Sequence, residues 1–197
     1  MKIHQKYVCD FRLKLPSYDN SYYVKRALKL EAALAKKPYV LQLELVGDGE
    51  IPADTALLIR SILLGRPSGT ELVTNARSSL QGGSVLVWLL GDRREIRDDA
   101  RVFFKRNPLA DQNPVEVYAG MDDGESKYKD SYSSFDPEDA DYVKVLKLID
   151  EFLPVRQFAG RIVSVNMLRE FGLVENRRVS ISPATGLPKS EQDILAT

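Results

Sequence analysis

Apolar residues recur at every second position near the start of the chain. Ile3, Tyr7, Cys9, Phe11, Leu13 and Leu15 share one parity, and Pro16 ends the run, so residues 3–15 are expected to form a strand. The period then lengthens. Asn20-Ser21 offers a helix cap, and Val24, Ala27, Leu28, Leu30 and Leu34 follow before Lys36-Lys37-Pro38 supplies a basic end and a stop. Tyr39 to Val46 is a largely apolar strand, turned by Gly47-Asp48-Gly49. Pro52 and Asp54 mark the first turn of a helix that reaches about Leu64 and stops at Gly65. A short strand at Glu71–Thr74, a helix over Gly82–Leu90 and a strand at Val102–Phe104 complete a strict alternation of strand and helix. Such alternation predicts a parallel sheet wrapped by helices.

The rhythm breaks over residues 107–137. That stretch is polar, carries scattered Gly, Ser and Pro, and holds one candidate strand at Val115–Tyr118, which marks it as an inserted loop. Tyr118, Tyr128, Tyr132 and Phe135 give it an aromatic character that fits internal packing or subunit contact equally well. Asp122-Asp123-Gly124-Glu125 lacks the alternating ligands of a calcium loop. Order returns at Asp136-Pro137-Glu138-Asp139, a strong helix start, after which Val143, Leu146, Ile149 and Leu153 form an apolar stripe, broadened by Val145 and Phe152. Ser164 is expected to cap a short helix with Met167, Leu168 and Phe171 inward and Gly172 as its stop. Arg177–Ile181 reads as a last strand and 183–197 as a tail. No internal repeat is visible, and residues 1–197 fit a single domain.

Composition narrows the functional classes. Lys+Arg and Asp+Glu both number 28, and the basic clusters are interleaved with acids, as where Arg93-Arg94 meets Glu95, Asp98 and Asp99. Nucleic-acid binding, which needs a local excess of cations, is therefore not expected. Cys9 is the single cysteine, which excludes an intrachain disulfide and a cysteine-cluster zinc site. His4 is the single histidine, in a terminal segment, so the commonest general base and most metal sites are missing. No cofactor and no metal are expected. Without a leader-like apolar segment or a long apolar run, the chain is expected to be cytoplasmic, with no membrane contact. Trp88, inside an apolar helix, is expected in the core.

Three segments carry a resemblance. Leu43–Ile51 is a strand and glycine turn before a helix. Gln81–Lys105, reading QGGSVLVWLLGDRREIRDDARVFFK, joins a Gly-Gly-Ser step to an apolar helix, a turn, a basic-acidic patch and a β-type run. Ser164–Val174 is a short helix ending in aromatic-Gly-Leu-aliphatic sequence. Their order and spacing resemble the ClpP/crotonase superfamily over roughly residues 21–175. The resemblance implies an α/β fold, a spiral of ββα units with a central, mostly parallel sheet.

It also implies where chemistry would sit. A ClpP-type serine would fall at Gly82, or at Gln81 with a one-residue shift, and the histidine would fall at Lys105. The stretch Pro154–Arg161, where the third triad member is expected, holds no carboxylate. Backbone amides at Gly49, Gly82 and Gly83 could still face an oxyanion. The leading expectation is thus a protein that lacks the Ser-His-Asp triad, a non-catalytic oligomeric binding or structural member. One alternative is a serine-type peptidase or esterase with a displaced Ser-Lys pair, Ser84 or Ser79 with Lys105 as base. Another is a crotonase-like acyl-CoA-binding protein with Gly49 and Gly83 as its amides. Self-association in the superfamily generally uses projecting helices, which makes the Val143, Leu146, Ile149 stripe the expected oligomer surface. The expected partners are other copies of the chain, with an active paralogue as a further candidate.

Overall fold

In a computed structural model of the chain, residues 7–15, 20–103, 140–158 and 162–175 are described. Strand β1 (Val8–Lys14) keeps the expected alternation: Phe11 and Leu13 are buried while Asp10, Arg12 and Lys14 are exposed. Helix α1 (Asn20–Leu34) places Tyr23, Ala27, Leu30 and Leu34 in the core. Strand β2 (Val40–Val46) proves to be alternating too, with Leu41, Leu43 and Leu45 inward and Gln42 exposed on the other face.

Four short strands give no periodic signal, three of them before residue 100. β3 (Gly49–Ile51) follows the glycine turn directly, and α2 (Ala53–Leu64) follows it. β4 (Glu71–Ala76) is likewise succeeded by β5 (Leu80–Gly82) and then α3 (Gly83–Leu89). The basic-acidic patch is itself a strand, β6 (Arg93–Ile96), succeeded by β7 (Arg101–Phe103). Arg94 hides there because it is half-buried, its guanidinium donating to the carbonyls of Leu89 and Leu173. Burial lowers its pKa, the largest effect on it, against the Asp92 charge.

These strands sort into two sheets. The first strand of each pair joins a parallel sheet ordered β1-β2-β4-β6, and the second joins a sheet that begins β3-β5-β7. The β2–β3–α2 and β4–β5–α3 passages are therefore successive ββα turns of a spiral. The second sheet is closed by β8 (Ile162–Ser164), which pairs antiparallel with β7. Helix α4 (Ala140–Asp150), the short α5 (Val155–Phe158) and α6 (Val165–Glu170) complete the order. Ser164 does cap α6, its hydroxyl accepting from the Met167 amide, and Gly172 at φ 68° ends the turn beyond it.

The apolar faces of both sheets and of α1 to α4 merge in one core cluster. Trp88 is fully buried within it, and its indole N–H donates to the Glu95 carbonyl. The α4 stripe requires a correction. Leu146 and Ile149 have no exposed surface, because α4 packs on α2 and α3 of its own chain; Val143 is half-buried beside them. At about 1.5–3 kcal/mol per buried aliphatic side chain, that stripe stabilises the fold of the chain itself. The 107–137 insertion, the Arg177–Ile181 strand and the 183–197 tail lie outside the described residues. No described helix is long and apolar enough to cross a membrane.

Candidate functional site: a strand-to-helix elbow without a side chain

The junction of β5 and α3 is a sharp elbow. Gly82 stands there at φ 48°, ψ −121°, a conformation that L side chains rarely adopt. In hydrolases a turn of this kind thrusts a nucleophile out of the sheet. Here the position carries no side chain. Gly83, the first residue of α3, is equally constrained: a Cβ on it would lie 2.3 Å from the Ile51 carbonyl oxygen and 2.8 Å from the Ala56 methyl. The small residue lets α3 start against the end of β3 and the first turns of α2.

A second group fills the elbow. A Cβ built on Gly82 would lie 1.9 Å from Oε1 and 2.7 Å from Cδ of Glu50. The Glu50 carboxylate thus occupies the space into which any side chain at position 82 would extend. Parallel pairing of Gly49 with Leu80, Glu50 with Gln81 and Ile51 with Gly82 fixes the Glu50 backbone. The Tyr23 hydroxyl donates to its carbonyl at 3.2 Å. Glu50 lies within the Leu43–Ile51 segment, where nothing in the sequence pattern marks it. Only the β3–β5 register reveals it, and strands three residues long leave no periodic signal.

Ser84 sits inside the elbow. It is fully buried, and its hydroxyl accepts from the Gln81 amide at 2.9 Å. The carbonyls of Gly49 (2.9 Å) and Gln81 (2.7 Å) share its single proton. Ser84 therefore ties the β3 and β5 ends of the elbow together. Ser79 lies before β5; its amide donates to Asp48 Oδ1 at 2.8 Å, and its hydroxyl accepts from the Arg101 amide at 3.3 Å. It bridges the Gly47-Asp48-Gly49 turn and the start of β7. Gly49 gives its carbonyl to Ser84, as noted, and pairs with Leu80, two positions before Gly82 on β5, while Gly83 follows Gly82 directly. Lys105 and His4 lie outside the described residues. In the segment expected to hold the third triad member, α5 begins with the Val155 amide donating to Asp150 Oδ1.

The open face of the first sheet carries the other polar concentration. Glu44 accepts from Arg12 at 2.6 Å and from Arg77 at 2.7 Å across neighbouring strands. The Arg77 hydrogen bond, more than Arg12, holds its carboxyl below the usual range. Two grooves, of ≈ 840 and ≈ 500 Å³, run over this face, and both are bordered by Asn75, Arg77 and Glu95. Neither reaches Gly49, Gly82, Gly83 or Ser84. Most of the arginines there are already paired, Arg93 with Glu71 and Glu95, Arg169 with Asp98, and Arg97 with Asp99. Among the described residues no three His, Cys, Asp or Glu side chains gather as metal ligands.

No family model matches the chain. No curated protein matches it by sequence. Solved structures do match. A peptidase from Plasmodium falciparum superposes with a TM-score of 0.52 at 10% identity, covering 86% of this chain and 93% of its own. The ClpP protease catalytic domain from the same organism gives 0.52 at 9% identity over 85% and 83%. A variant of ClpP1 from Listeria monocytogenes gives 0.50 at 12% identity over 86% and 92%. At identities this low the likeness establishes the architecture and leaves the chemistry to be argued from this chain's own residues. The two-sheet spiral of ββα turns, with its elbow at Gly82, is a ClpP-like fold.

Proposed function

We propose that this chain is a non-catalytic ClpP-like protein that serves as an oligomeric binding or structural subunit. One observation carries the reading: the residue at the strained elbow is Gly82, and the Glu50 carboxylate fills the space a nucleophile would need. Acyl transfer requires an attacking group, a base in hydrogen-bond reach and oxyanion donors together. Gly82 offers no attacking group at the elbow, and the Ser84 hydroxyl two residues on is committed to backbone partners. Two of the solved structures that match most of the chain are named as a peptidase and as a protease catalytic domain. Loss of the reacting side chain on a retained fold is consistent with a binding role.

Fluorophosphonate labelling of the native chain tests this. No stoichiometric adduct is expected on any serine. An adduct at Ser79 or Ser84 that disappears with Lys105→Ala would make the chain a hydrolase. Association is tested separately by sedimentation at micromolar concentration, where a monomeric mass would refute the oligomeric part. Because Leu146 and Ile149 are spent in the core, the self-association surface belongs to other residues.

A further inference from the structure

We propose that Glu50 is a built-in plug of the elbow: its carboxylate and the missing side chain of Gly82 form an interdependent pair, and the elbow is closed by the chain itself. The proposal deepens the silent-elbow reading by naming what regulates access to it. Three observations converge. Gly82 retains the strained φ 48°, ψ −121° turn although no nucleophile is there to be presented. The Glu50 carboxylate lies inside van der Waals reach of any Cβ at that turn, with Oε1 at 1.9 Å and Cγ at 3.3 Å. The backbone that carries Glu50 cannot step aside, since it is paired to β5 in register, anchored by Tyr23 and followed by fully buried Ile51. Movement is therefore left to the Glu50 side chain, which is half-buried and has rotatable bonds. With the carboxylate in place, a side chain at 82, or an acyl carbonyl brought there by a ligand, meets it. With the carboxylate withdrawn, the turn is open.

A thiol placed at the elbow reads this out without needing a general base. In the full chain, with Cys9→Ser to leave one reactive cysteine, Gly82→Cys is compared in two backgrounds, Glu50 intact and Glu50→Ala. Expected is alkylation by iodoacetamide roughly tenfold faster in the Glu50→Ala background, together with a higher melting temperature for that double variant than for Gly82→Cys alone. Equal rates and equal melting in both backgrounds would overturn the plug. Should Gly82→Cys fail to fold while the Glu50→Ala combination folds, the steric conflict is demonstrated directly. The single variant Glu50→Ala, with glycine kept at 82, supplies a second reading. Its Gln81–Ser84 amides are expected to exchange with solvent about tenfold faster than in the parent chain, as local opening rises. Unchanged exchange there, with no variant at 82 folding in either background, would overturn the proposal as well. These outcomes are separate from fluorophosphonate labelling. The native chain could prove reactive at another serine with the plug intact, or inert with the plug disproved.

Discussion

Ser84 shows how a residue that looks reactive in sequence becomes structural in space. A hydroxyl two positions beyond the elbow glycine invites a nucleophile reading, yet it serves the amide of Gln81 and the carbonyls of Gly49 and Gln81. Ser84→Ala is expected to destabilise the chain by about 1–3 kcal/mol, because it leaves buried backbone groups without their partner. Urea unfolding measures it; a loss near zero would contradict the assigned role. Glu44 makes a titratable prediction. Its folded pKa is depressed by Arg77 first and Arg12 second, so the stability it contributes is complete above the ordinary value of 4.5. That contribution fades as pH falls below 4.5 through the lower folded value. Glu44→Gln should therefore flatten the acid limb of the stability curve while changing little at acid extremes. Because the partners Arg12 and Arg77 are well exposed, solvent screening keeps the effect modest.

At the scale of elements, α4 separates two meanings of an apolar stripe. The same spacing suits a subunit contact and a core helix, and periodicity does not distinguish them. Packing does: Tyr142, Val145, Leu146 and Ile149 are buried within the chain. Leu146→Ala or Ile149→Ala should cost about 2–5 kcal/mol in denaturant unfolding at constant sedimentation behaviour of the folded material. Dissociation without loss of subunit stability would restore the interface reading. Long elements were legible for the reasons α4 and β1 illustrate, since many positions vote on one period. β3, β5 and β6 were not, because three or four residues carry no period, and in β6 a half-buried arginine stands where an aliphatic residue would have signalled a strand. The candidate site was legible only in part. Gly49, Gly82 and Gly83 were found as glycines in a recognisable order, whereas Glu50 emerged only from the pairing of two strands that pattern alone does not define.

For the molecule as a whole, one core cluster takes in both sheets and all four longer helices, with the chain's single tryptophan fully buried in it. Trp88 is thus a reporter for the entire described fold. Its emission should be blue-shifted in the native state and move to the red in one transition that coincides with loss of far-ultraviolet dichroism. Two separated transitions would show that the sheets melt independently.

The all-parallel pairing of β1, β2, β4 and β6 has a cost in time. Neighbours such as Arg12 and Glu44 stand 32 residues apart along the chain, and Asn75 and Glu95 stand 20 apart. No hairpin can nucleate this sheet; each added strand waits for a helix-bearing crossover to close. Newly made chains should thus linger with unpaired strand margins, and their yield on refolding should fall as concentration rises.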